Sequence, residues 1–414
     1  MSDEYIILRR LDEPRRSSGN VEVAYRGPVG APRRLGRTPT ELNARSRRTF
    51  GMDVSAAPAR EALDALRDPK VEAVARRMPM KLMRPLAKAP APARLAAGAM
   101  WNLDAVGATE SRFTGKGTVV AVLDTGIDRA HDAFKGVTLV EKDFTGDGDG
   151  DTDGHGTHCA GTIFGREVRG KRIGVAPGVE KALIGKVLRA DGGGDSKMIF
   201  QAIQWAVQSN CDVISMSLGF DFPGMVDDFV KNEGWPIDRA TSEALVAFTN
   251  NLRVFDSLTD QVRLMAPFDS GAVIVAAAGN ESHGQGANGY RLAASLPAAA
   301  RGVFSVGALR KSGAKYAVAD FSNTLPRLSA PGVGILSAEA NTTSKLVAMD
   351  GTSMACPHVA GVAALWWQAM REANDGQTSA QRVEAQLLSS VRSDVFTAGT
   401  QPVDRGDGLV TAPR

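Results

Sequence analysis

Cysteine and histidine are scarce in this chain: 414 residues hold three of the first and five of the second. Cys159, Cys211 and Cys356 are an odd number in a large protein, which argues against a disulfide framework and makes a reducing compartment the simplest setting. Long apolar runs are missing too. No stretch approaches the roughly 18 consecutive apolar residues of a membrane span. The opening MSDEYIILRRLDEPRR offers only a short run, Tyr5 to Leu8, before charge returns, so no secretory leader is read there and a cytoplasmic protein is expected. What is present is aliphatic: 43% hydrophobic residues against 6% aromatic ones, enough to fill one large core with a smaller unit beside it.

The net charge of +3 conceals an asymmetry. Residues 1–100 carry 20 Lys/Arg against 11 Asp/Glu, a net +9, and the remainder carries 29 against 35, a net −6, so the two parts should attract each other. The arginines are scattered among prolines and hydrophobic pairs without interleaved aromatics, so a docked or solvated face is expected and a nucleic-acid partner is not. No membrane partner is expected either, and the protein is expected to be a monomer.

Along the first hundred residues, YIILRR and VEVAYRG read as edge strands. In SAAPAREALDALRDPKVEAV, Ala62, Leu63 and Leu66 share a helical face, Asp68-Pro69 stops the helix and a strand follows. A small α+β unit over residues 1–95 is thus expected, with a Pro/Ala-rich linker at about 84–98 leading to a body of residues 100–414. In that body five nearly continuous apolar runs recur: TVVAVL (118–123), ALIGKVL (182–188), DVISMSL (212–218), AVIVAAAG (272–279) and GVFSVGAL (302–309). They are too short for core helices and too rich in valine and isoleucine to be loops, as strands covered on both faces would be. Helical patterns lie between some of them, Ile199, Ala202, Ile203 and Ala206 forming one stripe, with others near 239–254 and from Ser353. The expected class is α/β, a doubly wound and mostly parallel sheet with its chemistry at the carboxyl ends of the strands.

Three motifs stand where such chemistry would be. Asp124 leaves the first strand at a tight turn, Asp-Thr-Gly, as a catalytic carboxylate, a cap or a metal ligand could. In DGHGTHCAG, His155 and His158 stand three apart among glycines, a poor metal pair, so His155 reads as a base and His158 as a hydrogen-bonded core histidine. In GTSMACPHVAG, Ser353 precedes a run of small residues at a turn-to-helix junction, where a serine is either a cap or a nucleophile. Acyl transfer by serine needs a base, a buried carboxylate that fixes the base's tautomer, and donors for the oxyanion. Asp124, His155 and Ser353 can supply the carboxylate, the base and the serine itself, and Asn280, at the end of AVIVAAAGN, the amide donor.

With VAVLDTGID, HGTHCAG, GTSMACPHVAG, ISMSLG and VAAAGNE in this order, residues from about 100 to 390 resemble the subtilisin-like serine proteases, the subtilase family. The resemblance implies a serine endopeptidase acting on protein or peptide substrates, with Asp124, His155, Ser353 and Asn280 as the catalytic set and no cofactor required for the chemistry. It implies substrate-backbone pairing along Gly192, Gly193 and Gly194. Ser217, Leu218 and Gly219 would form the other wall of the pocket for the residue before the scissile bond, and Ser295 its floor. That floor carries no acid, so an apolar or medium-sized preference is expected, although Asp221 lies close in sequence. Leu296-Pro297 falls where the family has a cis peptide. The N-terminal unit resembles an inhibitor-type prodomain whose tail lies in the cleft, a partner in its own chain; the linker from Arg84 to Gly98 is expected to hold the self-cleavage point of a zymogen. The reading from another class is a non-catalytic binding protein of the same fold, locked by its N-terminal unit.

The pattern fails in two places. The usual calcium loops are replaced by RAHDAF and by the basic FGREVRGKRIGVAP, while Asp149, Asp151 and Asp153 match half of an EF-hand loop whose twelfth position is Ala160, so calcium is a candidate there alongside a solvated loop. Between Leu218 and Asn280 the chain is also longer than the family requires, an insertion over about 220–270 of no evident purpose.

Overall fold

The five valine- and isoleucine-rich runs lie side by side because each is apolar on both faces and must be covered on both. The structure, a computed structural model, describes residues 4–11, 52–84, 88–90, 100–264, 271–284 and 289–414. Its main sheet has eight strands. Seven run across it in the order Lys315–Val318, Val303–Ser312, Val273–Ala277, Val213–Met216, Val119–Asp124, Lys181–Lys186 and Thr138–Asp143. All are parallel except the Lys315–Val318 hairpin strand, and Leu328–Pro331 adds a further parallel pairing to Val303–Ser312. The first of these strands in the chain, Val119–Asp124, is central, so Asp124 emerges among neighbours on both sides. One face packs on the long buried helix Thr352–Ala373 and on His155–Phe164; the other packs on Ser196–Gln208 and Ile237–Leu264. The chain is therefore an α/β protein wound on both faces of a mostly parallel sheet.

The N-terminal residues form a three-stranded antiparallel sheet, Met52–Pro58, Glu4–Arg10, Val71–Arg76, with the short helix Ala59–Ala65. Two expectations are corrected here. YIILRR is the central strand of that sheet, because Ile6 and Leu8 are fully buried and need cover on both sides. The helix packs on the sheet through Ala62, its one buried residue, and leaves Leu63 and Leu66 exposed, while Ile6 and Leu8 of the sheet face the large domain. VEVAYRG lies outside the described residues, as does much of the linker. Ile6, Leu8, Val54 and Ala75 share one core with Ile199, Phe200, Ile203 and Phe255 of the large domain. A sheet this small cannot enclose a core alone, and it borrows one.

The insertion supplies much of what is borrowed. It folds as two helices, Phe222–Lys231 and Ile237–Leu264, and the longer packs against Val71–Arg76. Asn251 donates to the Arg76 carbonyl at 2.8 Å, and the Arg76 guanidinium lies over the rings of Phe229 and Trp235, 4.8 and 5.9 Å from their centroids. Among the described residues no helix is long and apolar enough to cross a membrane.

Candidate active site

Asp124 ends the central strand and is buried together with His155, the first residue of its helix. Asp124 Oδ1 lies 2.7 Å from His155 Nδ1 and accepts the Thr125 N–H at 2.8 Å. Burial alone would disfavour the imidazolium. The charge and hydrogen bond of Asp124 outweigh it and hold His155 well above the ordinary histidine range. The strand end and the helix start approach closely: a Cβ on Gly156 would fall 2.3 Å from the Gly126 carbonyl oxygen, so only glycine permits this spacing. A buckle of polar groups fixes it. Asp151, itself buried, accepts from Thr125 Oγ1 at 2.9 Å and the Gly154 N–H at 2.8 Å through one oxygen. Its other oxygen accepts from Thr157, N–H at 2.8 Å and hydroxyl at 2.6 Å. Thr125 Oγ1 in turn accepts the Gly156 N–H at 2.9 Å.

Ser353 sits in the first turn of Thr352–Ala373, fully buried, and its hydroxyl donates to the carbonyl of Met83 at 3.0 Å, with the Ser217 carbonyl at 3.4 Å. His155 Nε2 is buried without a hydrogen-bond partner. Cys159, one helical turn from His155, ties the two elements together, its thiol 3.4 Å from the Ser353 carbonyl and 3.8 Å from His155 Nδ1. Asn280 is oriented by Thr352, whose N–H and hydroxyl each donate to its Oδ1 at 2.8 Å. Its Nδ2 is thereby turned toward the Met83 and Arg84 carbonyls, at 3.5 and 3.3 Å.

The residues in the cleft come from the chain's own N-terminal unit. Pro79–Leu82 is the middle strand between Gly193–Asp195 and Leu218–Phe220, antiparallel to both, and Leu82 N–H donates to the Gly192 carbonyl at 2.8 Å. A Cβ on Gly219 would fall 1.8 Å from Met83 Cε, so the methionine fills the space that this glycine leaves. Beyond Arg84, Lys88–Pro90 pairs with Leu346–Met349, the strand leading to the Ser353 helix, so the chain is held on both sides of Met83.

The other residues singled out in the sequence divide. Gly192, Gly193, Gly194, Leu218 and Gly219 line the tail strand. Ser217 lies beneath instead, its hydroxyl donating to the Ser353 carbonyl at 3.1 Å. Ser295 is half-buried just before Leu296-Pro297, whose peptide bond is cis. His158 is a core histidine, bonded to the Ile335 and Val347 carbonyls at 2.9 and 3.2 Å and pushed down to about 3 by burial. The calcium candidates do not come together. Asp151 already accepts four protein donors, Asp153 accepts the His155 N–H at 3.2 Å and lies 3.9 Å from Arg84, and among the described residues only Asp124, His155 and Cys159 cluster closely enough to share an ion. With both oxygens taken by N–H and O–H groups Asp151 is not free to ligate a cation, and the three carboxylates do not converge as calcium would require. Sequence reasoning missed Thr352, the buckle made by Asp151, and Met83. The first two adjoin the motifs and could have been suspected as their hydrogen-bonding supports.

A buried Asp–His pair at the end of a central parallel strand, with a serine at a helix start and an amide donor beside it, defines a hydrolase-like site in an α/β fold. The chain belongs to the subtilase family, whose model matches residues 115–408. It is 34% identical over 290 residues to a cuticle-degrading serine protease of Arthrobotrys oligospora, covering 66% of this chain and 58% of that protein. Identity is 32% over 325 residues to an intracellular serine protease of Paenibacillus polymyxa, covering 76% and 82% of the two chains, and 35% over 283 residues to the major intracellular serine protease of Bacillus subtilis, covering 66% and 76%. The chain spans little more than half the length of the Arthrobotrys relative.

Proposed function

We propose that this chain is a serine endopeptidase made in an inhibited form that cleaves itself after Met83. The observation that carries the reading is the convergence of Ser353 Oγ and Asn280 Nδ2 on one peptide carbonyl, that of Met83, beside a buried Asp124–His155 pair. In this reading the Ser353 hydroxyl turns from the carbonyl oxygen toward His155 Nε2, gives up its proton there and attacks the carbonyl carbon. The Met83–Arg84 bond breaks, the new amine takes the proton back from His155, and water releases the acyl group by the same steps in reverse. Asp124 holds the proton on Nδ1, leaving Nε2 to accept, and Asn280 donates to the oxyanion with the Ser353 N–H. No cofactor takes part. Residues 1–83 act as the inhibitory unit, with the self-cleavage point at the N-terminal edge of the linker. Protein or peptide substrates would lie where Pro79–Met83 lies, with an apolar side chain in the space beside Gly219. The two bacterial relatives named as intracellular proteases support a cytoplasmic setting.

The reading is tested by incubating the purified full chain with a fluorophosphonate and with peptides. Hydrolysis, with stoichiometric label on Ser353, is expected. A folded protein that processes no peptide and takes no label would instead be the non-catalytic binding protein, and the unpartnered His155 Nε2 is the observation that keeps that reading in view. Asn280→Ala should lower kcat by about 10²–10³ with KM little changed, because the donor acts on charge that develops only in the transition state.

The insertion gives a prediction about inhibition. Asn251→Leu removes the 2.8 Å hydrogen bond to the Arg76 carbonyl, a loss of about 1–3 kcal/mol. The N-terminal unit should then be held less firmly, and the lag before peptide hydrolysis in the full chain should shorten several-fold. An unchanged lag would separate the insertion from inhibition.

A further inference from the structure

The tail strand also reports what the cleft selects away from the scissile bond. Met80 and Leu82 are buried and Lys81, between them, faces the other way, as alternation along a strand requires. Its ammonium lies 3.2 Å from Asp221 Oδ1 and 3.7 Å from Glu281 Oε1. Both acids belong to the large domain; the Asp221 N–H donates to the tail's Pro79 carbonyl at 2.9 Å, but each carboxylate also has a partner outside the tail. Asp221 caps Phe222–Lys231, accepting the Gly224 N–H at 3.2 Å. Glu281 accepts from Asn323 Nδ2 at 2.9 Å through Oε2, which leaves Oε1 toward the lysine. The side chains of Asp221 and Glu281 stay 28% and 34% exposed with the tail in place, so an incoming chain reaches them without rearrangement.

We infer that Asp221 and Glu281 form an acidic subsite, selecting peptides with lysine or arginine two residues before the residue whose carbonyl is attacked. The inference rests on the protease reading above, and on the premise that a substrate follows the tail's register between Gly193–Asp195 and Leu218–Phe220. Two carboxylates around one position attract a cation and repel a carboxylate, so discrimination between the two charges exceeds the worth of either ion pair. Both groups are partly exposed, so salt should weaken the effect.

The test uses protein prepared as the full chain and left to process itself, with quenched-fluorescence peptides built on Met-Xaa-Leu-Met-Arg-Pro. At low salt kcat/KM is expected to be about fivefold higher with Lys or Arg at Xaa than with Gln, and at least tenfold higher than with Glu. The Lys-to-Glu ratio should shrink in 0.5 M NaCl and approach one in the Asp221→Asn, Glu281→Gln double variant. That ratio is the readout because damage to the fold scales both rates alike. Equal rates for the Lys and Glu peptides, or a Lys preference that survives the double substitution, overturns the subsite and leaves the protease reading standing. Failure to hydrolyse any peptide overturns that reading, and the subsite falls with it.

Discussion

Ser353→Ala should keep the chain at its full 414 residues through prolonged incubation, while the unaltered protein yields a larger fragment whose first residue is Arg84. The serine supplies the only hydroxyl that meets the Met83 carbonyl in the described structure, at 3.0 Å, and alanine removes it without disturbing the strand pairing that holds the carbonyl there. Loss of the nucleophile from a serine–histidine–aspartate set costs about 10⁶ in turnover, and the residue of rate comes from oxyanion donors and binding. Peptide hydrolysis should fall by that order. The folded state should survive, because the hydroxyl's hydrogen bonds run to the Met83 and Ser217 carbonyls and neither is part of the main core. N-terminal sequencing with intact mass checks both halves of the expectation. A Ser353→Ala chain clipped at the same bond in pure form would show that the cleavage is not its own, and a fragment beginning elsewhere in the linker would move the scissile bond.

How much of this was legible beforehand varies with how local the cause is. The strands were legible because a run such as Val119–Leu123, buried on both faces, leaves an unbroken aliphatic signature; Thr138–Asp143, an edge strand of the same sheet, is half charged and was passed over. Asp124, His155, Asn280 and Ser353 could be singled out because each stands where a strand or helix ends among small residues that permit close approach, as Gly156 does. Met83 could not. In RRMPMKLMRP the alternation of Met78, Met80 and Leu82 marks a short strand but not its neighbours, and its course is set by two strands more than a hundred residues away that it alone joins. Asp221 shows the same limit: its nearness in sequence to the pocket stood against the apolar preference expected at the cleaved residue, yet its carboxylate meets Lys81, two residues earlier. Counting aspartates could not foresee at residues 149–153 that Asp151 spends its lone pairs on Thr125, Gly154 and Thr157.

Asp124→Asn should lower kcat by about 10⁴ and, more tellingly, move the rising limb of the pH–rate profile to lower pH. Only neutral His155 can accept a proton, so rate climbs as pH passes its pKa from below. In the intact site burial pushes that pKa down, the charge of Asp124 pushes it up, and the second effect prevails, which places the limb above the ordinary histidine range. A carboxamide keeps the burial and removes the charge. The imidazolium then loses its counterion while remaining desolvated, so the limb should descend. The carboxamide also fails as a tautomer clamp: if its NH₂ faces Nδ1, the ring proton resides on Nε2, where it blocks acceptance from Ser353, which is the source of the large loss in rate. The assignment of the limb is clean with respect to two other buried imidazoles, since burial holds His158 at about 3 and His358 at about 4, both charged only in acid. A variant weakened by general loosening of the fold would lose rate with the limb left in place. That outcome would mean that the 2.7 Å contact between Asp124 and His155 does not tune the base.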